Sequence, residues 1–376
     1  MAEEDEIHIR TLITFDTIFP ADTVEWCPVD PYRNILACGT YKLNKNEPNT
    51  ESTYRQGQIL LLRIVNGGEL ELLQQVSTSA VLDMKWLHVI DVETRILLAV
   101  VDAMGHLQIH QLKGDGKGIK LEFIIKLKVS DDENVMALSL DWSREKYVAY
   151  DPVSNTNILV SDSAGRISHF TWREAGDLTK DFTWPAHKFH AWITAFDYSN
   201  PLIFYSGGDD NRFLCFDSRT GSHPVFVNKD HTSGVTSIHS NVNKTFLLAT
   251  GSYDQNVRLW DKRDFSKPIS KICVDGGVWR LKWDPFTRQY LLAACMYNGF
   301  KIINHMDILS SIVVNYKQHK GLSYGCDWSF LRQPDISRLN IFNGDTLIST
   351  CSYEDCSLKI SVIDFWPDRQ ATGEDC

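Results

Sequence analysis

Leu247-Leu248-Ala249-Thr250-Gly251-Ser252, then Tyr253-Asp254-Gln255-Asn256, then Val257-Arg258-Leu259-Trp260-Asp261 is the stretch that decides the fold. It reads as an apolar strand, a tight polar turn and a second strand, with Val257 and Leu259 alternating as a half-buried strand does. Looser copies of its turn are Val101-Asp102-Ala103-Met104-Gly105, Ser161-Asp162-Ser163-Ala164-Gly165, Gly207-Gly208-Asp209-Asp210 and Met296-Tyr297-Asn298-Gly299. Gly and Asn supply turn conformations that β-branched residues reach only at a cost.

Ahead of each copy stands a short apolar strand ending in a charged residue and an aromatic. The copies are Val24-Glu25-Trp26, Met84-Lys85-Trp86, Leu140-Asp141-Trp142, Phe196-Asp197-Tyr198, Leu281-Lys282-Trp283 and Cys326-Asp327-Trp328, with Ile238-His239-Ser240 as a seventh that has lost its aromatic. From Tyr198 to Ser240, to Trp283 and to Trp328 the intervals are 42, 43 and 45 residues. A period of about 40–45 residues is that of four-stranded propeller blades. The earlier intervals are longer, and the excess falls in polar insertions at residues 42–56 and 143–156. One blade cannot bury both faces of its sheet, so neighbours must stack around an axis. The expected fold is all-β, one seven-bladed β-propeller over residues 1–376. The N-terminal strand near residues 8–15 is expected to pair with the last blade and close the ring, since an open ring leaves raw edges.

Composition narrows the function. The formal net charge is −10, which disfavours nucleic acid and anionic membrane surfaces and suits a cationic partner. Nine cysteines without a CxxC pair read as free thiols in a reducing compartment. No metal site or cofactor is expected. The acidic start has no apolar leader segment, and no apolar run reaches the roughly 20 residues of a membrane helix. The cytoplasm is the expected location.

His231 stands 23 residues before Asp254, and His187 stands 23 before Asp210. WD-repeat blades join a loop His, a turn Asp, a Ser or Thr and a third-strand Trp in a structural network. Blade five carries the whole set, with Trp260; blade four has Phe216 in place of the Trp. A His–Asp pair is also what a hydrolase needs, so His187 stays open as a base. No G-x-S-x-G elbow, HExxH, P-loop or dinucleotide fingerprint is present. Gly114-Asp115-Gly116-Lys117-Gly118 lacks the Lys-Ser/Thr ending of a phosphate loop and reads as a turn joining two strands.

Longer stretches carry a resemblance. Gly276-Gly277-Val278-Trp279-Arg280, Leu292-Ala293-Ala294-Cys295-Met296 and Tyr324-Gly325-Cys326-Asp327-Trp328 follow Ala186-His187 and Tyr205-Ser206-Gly207-Gly208-Asp209-Asp210 in order. From Val24 to the last blade, the chain resembles the WD-repeat diphthine methyltransferase family of diphthamide biosynthesis, whose members act as methyl-ester hydrolases. The resemblance implies a carboxylic ester hydrolase that takes methylated diphthine on translation elongation factor 2. It carries over no catalytic residues.

The implied substrate bears a quaternary ammonium beside its ester, and such a cation binds aromatic faces. Trp192, Tyr253, Trp279 and Tyr324 fall where inner strands begin or turns open on one face, so they are candidate substrate-binding residues. Filling of the channel by Trp192 and Trp279 is the alternative. Ester hydrolysis needs an activated water and an oxyanion donor. His187, Asp209 and Arg280 are the catalytic candidates, with Cys38, Cys295 and Cys351 as lesser nucleophiles. The insertion at 42–56 is expected to overhang that face. The competing function is a non-catalytic adaptor, or a substrate receptor of a cullin-RING ubiquitin ligase. Trp260-Asp261-Lys262-Arg263 fits the W-D-x-R pattern of such receptors, and Asp217-Ser218-Arg219 is a partial copy.

Overall fold

The structure is a computed structural model and describes residues 7–44, 54–88, 95–115, 118–143, 156–173, 176–306, 309–341 and 346–365. Its strands form seven antiparallel sheets in chain order. Their innermost strands are Ala21–Trp26, Val81–Trp86, Ala137–Trp142, Ile193–Phe196, Val235–Ser240, Arg280–Trp283 and Ser323–Trp328, for blades one to seven. Each inner strand pairs with the next in sequence, and the sheet then runs outward. The last blade takes its outer strand from the other end of the chain. His8–Asp16 pairs antiparallel with Ser357–Asp364, from His8 opposite Asp364 to Asp16 opposite Ser357. A seven-bladed β-propeller results.

The core lies between neighbouring blades. Val24, Trp26, Leu36 and Leu60 of blade one pack with Leu347, Leu358 and Ile360 of blade seven, and similar clusters follow around the ring. Indoles also link blades by hydrogen bonds. The Nε1 of Trp86 donates to Glu25 O at 3.1 Å, Trp142 to Lys85 O at 2.9 Å and Trp328 to Lys282 O at 2.8 Å. Ser240, which lacks the ring, donates through Oγ to Phe196 O at 3.1 Å.

Blade four corrects one alignment. Phe196 pairs with Phe204 as Trp26 pairs with Leu36, so Phe196 holds the position expected of Tyr198. Tyr198 lies beyond the strand and donates to Asp141 Oδ1 at 3.0 Å. A slip of two residues keeps every side chain on its own face, so hydrophobic alternation cannot detect it. Of the insertions, residues 45–53 and 144–155 lie outside the described residues. The stem of the first is a ladder from Lys42 opposite Gln56 to Asn44 opposite Tyr54. Of the Gly114–Gly118 run, residues 116 and 117 lie outside the described residues; the strands on either side, His106–Asp115 and Gly118–Lys128, pair with each other. No helix among the described residues is long and apolar enough to cross a membrane.

Candidate functional site

The site begins with a backbone irregularity. Inner strands are bulged between Ala21 and Thr23, Val81 and Asp83, Ala137 and Ser139, and Val235 and Ser237. A bulge leaves one residue out of the ladder and re-aims its side chain. The extra residues are Asp22, Leu82, Leu138 and Thr236. Tyr324 lies in the corresponding irregularity of blade seven, and Trp192 and Trp279 immediately precede their inner strands. This tier forms the mouth of the channel. Leu82, Leu138, Trp192, Thr236, Trp279 and Arg280 line a small cleft there.

The four aromatic candidates are brought together there. The Trp192 and Trp279 rings meet edge-to-face with centroids 5.5 Å apart, Trp279 lies 4.9 Å from Tyr324, and Tyr253 is 6.2 Å from Trp192 and 6.3 Å from Trp279. The arc continues through Tyr353 to Tyr41. Glycine makes room for it. A Cβ at Gly277 would lie 3.2 Å from the Tyr253 ring and 2.9 Å from Met296 Sδ, and one at Gly234 would lie 2.9 Å from Asp209 Oδ1. The role of the Gly-Gly-Val-Trp stretch is therefore steric.

Asp209 stands at the rim. Its Oδ1 accepts from Trp192 Nε1 at 2.5 Å, and its Oδ2 lies 3.2 Å from His190 Nδ1. His190 stacks on Trp192 with centroids 5.1 Å apart and keeps 39% of its side chain exposed. An Nδ1–H held by a carboxylate leaves Nε2 with its lone pair, the arrangement of a general base. Sequence reading passed over His190. The only signal was a second histidine just ahead of Trp192, and its partner is 19 residues away.

His187 does not have that freedom, which corrects the reading of it as a base. Its Nδ1 is 2.7 Å from Asp210 and its Nε2 is 2.9 Å from Ser206 Oγ, with no exposed side-chain surface. Both nitrogens are engaged although the third-strand Trp is absent. His231 is held the same way, by Asp254 at 3.0 Å and Thr250 Oγ1 at 2.8 Å, and Trp260 Nε1 donates to the same hydroxyl at 2.9 Å. Burial pushes His231 below the usual imidazole range against the pull of Asp254. Arg258 adds a 2.8 Å bond to Asp254. Blade seven has a related set that spacing missed: His319 bonds Thr350 and Ser357 at 2.9 and 3.0 Å, because a long loop with the helix Gln333–Arg338 stretches the interval. Losing a buried hydrogen-bond partner costs about 1–3 kcal/mol. His231→Ala is therefore expected to lower the melting temperature while the rate per folded molecule stays near wild type. A scan alongside a turnover assay checks it, and an unchanged melting temperature with lost turnover would reverse the assignment.

Deeper in the channel, Arg280 is buried and its Nη2 lies 3.1 Å from Asp83 Oδ1. Burial opposes its charge, but Asp83, Glu25 and Asp22 outweigh it and raise its pKa. Toward the opposite face Lys282 lies 2.5 Å from Glu25 and 3.6 Å from Asp327. Cys38, Cys295 and Cys351 are fully buried, and burial pushes Cys295 up to about 12 and Cys351 well above the ordinary thiol. The reading of these thiols as nucleophiles is thereby corrected: all three are out of reach of substrate, and for Cys295 and Cys351 the reactive thiolate is also disfavoured. Among the described residues no group of His, Cys, Asp and Glu could hold a metal ion.

On the opposite face Arg263 is 72% exposed, lies over the Phe246 ring at 4.8 Å and forks onto Asp261 at 2.8 and 2.5 Å. Arg219 forks onto Asp217 in blade four in the same way. Exposed Leu202 and Phe246 belong to the turns beside them.

A family model described as "WD domain, G-beta repeat" matches residues 222–261. A diphthine methyltransferase of Mus musculus is 40% identical over 86% of this chain and 70% of its own length. A DDB1- and CUL4-associated factor 11 homolog of Caenorhabditis briggsae is 36% identical over only 24% of this chain and 17% of its own. Among solved structures, a chain from "Crystal Structure of Mitotic Checkpoint Complex" superposes with a TM-score of 0.67 over 93% of both chains at 16% identity, a likeness of fold alone. Extended similarity to the first of these, together with the propeller and its repeats, shows that this chain belongs to the diphthine methyltransferase family.

Proposed function

We propose that the protein hydrolyses the methyl ester of methylated diphthine on translation elongation factor 2, releasing methanol and diphthine in diphthamide biosynthesis. The observation that carries this reading is the His190–Asp209 pair at the rim of an aromatic cleft. In this reading the trimethylammonium group rests among Trp192, Tyr253, Trp279 and Tyr324. His190 Nε2 takes a proton from water, and the hydroxide adds to the ester carbonyl. Asp209 holds the opposite nitrogen and supports the imidazolium that forms. Arg280, in the cleft wall, favours the developing oxyanion. Methoxide then leaves as methanol with the proton from His190, and the carboxylic acid formed gives its proton to solvent, so the products are a carboxylate and methanol.

Hydrolysis and methyl transfer are separable. Purified protein and methylated elongation factor 2, with no methyl donor present, are expected to yield methanol in proportion to ester lost. Absence of methanol, or a donor-dependent gain of methyl groups, would overturn the reading. No cofactor is invoked, and the site of action is taken to be cytoplasmic.

Arg263 and Arg219 favour a second, compatible reading, docking of a cullin-RING ligase adaptor on the opposite face through Trp260-Asp261-Lys262-Arg263. Arg263→Ala is expected to weaken adaptor capture in pull-downs without changing methanol release. Unchanged capture would remove it.

A further inference from the structure

We infer that Asp22 is the counter-ion for a quaternary ammonium group held in the aromatic mouth, and makes the cleft prefer a fixed cation to a neutral group of the same shape. The inference rests on the substrate class proposed above. Asp22 is the extra residue of the blade-one bulge, on the tier that contributes Leu82, Leu138, Trp192, Thr236, Trp279 and Tyr324 from the other blades. It is the one charged member of that tier. It is 4% exposed, and its Oδ1 has no hydrogen-bond partner among the described residues. A buried carboxylate oxygen without a donor is costly, and a local role offsets such costs at functional sites.

Local charge does not balance. Asp22 and Asp83 face one guanidinium, Arg280, whose Nη2 is given to Asp83. Glu25, one tier deeper, is paired with Lys282. Asp22, Asp83 and Arg280 together thus carry one negative charge in excess when Asp22 is ionised, which a fixed cation would neutralise. The partnerless oxygen suits that ligand, because a quaternary ammonium has no hydrogen to donate and needs charge and aromatic faces instead. Asp209 is less suited, since its two oxygens serve Trp192 and His190.

The groups around Asp22 set its titration. Burial pushes it up to about 7; Arg280 pulls it down, Asp83 pushes it up, and the Trp279 indole lowers it slightly. That indole N–H is near enough to favour the ionised form without making a hydrogen bond to it. Tyr324, Tyr353 and Cys351 of blade seven lie within reach of its charge. Cation binding should therefore strengthen as pH rises through about 7.

The test titrates choline chloride and, separately, its neutral isostere 3,3-dimethyl-1-butanol into wild type and Asp22→Asn, read by tryptophan fluorescence at pH 8 and pH 5.5. Wild type at pH 8 should bind the cation about tenfold or more tightly than either Asp22→Asn or wild type at pH 5.5. The neutral isostere should bind both proteins alike. Asp22→Asn should also melt at or above the wild-type temperature at pH 8. A carboxyl raised in the folded state loses stability as pH rises from its unfolded to its folded value, and the amide does not. Equal cation affinity in the two proteins, or loss of both ligands together, overturns the assignment. Cation selectivity in a wild type that releases no methanol would retire the hydrolase reading alone.

Discussion

His190→Ala is expected to lower methanol release from methylated elongation factor 2 by about 10²–10⁴-fold, the usual loss when a general base is removed. The side chain is half-exposed at the rim and packs on one face of Trp192, so its removal leaves the core intact. Asp209→Asn should fall by a similar factor. The amide oxygen still accepts from the Trp192 indole, which keeps the cleft wall in place. Its NH₂ then faces His190 Nδ1 and favours the tautomer whose proton sits on Nε2, where the base must accept one. His187→Gln supplies the contrast. It disturbs a buried network and should reduce stability more than the rate per folded molecule. Circular dichroism controls for folding in all three. Wild-type turnover in folded His190→Ala would move the chemistry elsewhere in the mouth.

Trp279→Ala should weaken substrate use by roughly 30-fold or more. A desolvated cation–π contact is worth about 2 kcal/mol or more, and each 1.4 kcal/mol is about tenfold. Trp279 is central to the arc, touching Trp192, Tyr253 and Tyr324. Trp279→Phe removes ring area and quadrupole strength, together with the indole N–H that favours the ionised form of Asp22. Phenylalanine should recover part of the loss. The defect should lie mainly in KM, because the cation is present equally in the ground state and the transition state. An effect confined to kcat would argue that Trp279 orients the reacting ester instead of binding the ammonium.

That these candidate residues would meet on one face was legible before the fold was known. Trp192, Trp279 and Tyr324 precede or open inner strands, and Tyr253 and Asp209 hold equivalent positions before turn aspartates. Once strands were recognised, one face had to collect them. His187 misled because its spacing to Asp210 suits both a network and a catalytic pair. Only the 2.9 Å contact from Nε2 to Ser206 separates the two. Asp22 was passed over because an acidic residue near a strand start carries no mark of a bulge.

By itself, the sequence determined the blade count, the strand–turn–strand order and the blade-five network. All of these rest on contacts between residues close in the chain, and a repeated local pattern preserves such contacts from blade to blade. The tertiary structure alone decided which histidine is free, that Phe196 and not Tyr198 occupies the blade-four position, and that Asp22, Trp279 and Tyr324 share one mouth. The register depended on a shift that keeps side chains on their faces. The mouth depended on ring closure, which brings the first blade beside the seventh and Asp22 within reach of Trp279 of the sixth, across roughly 250–300 residues of chain, a separation over which no local periodicity carries information.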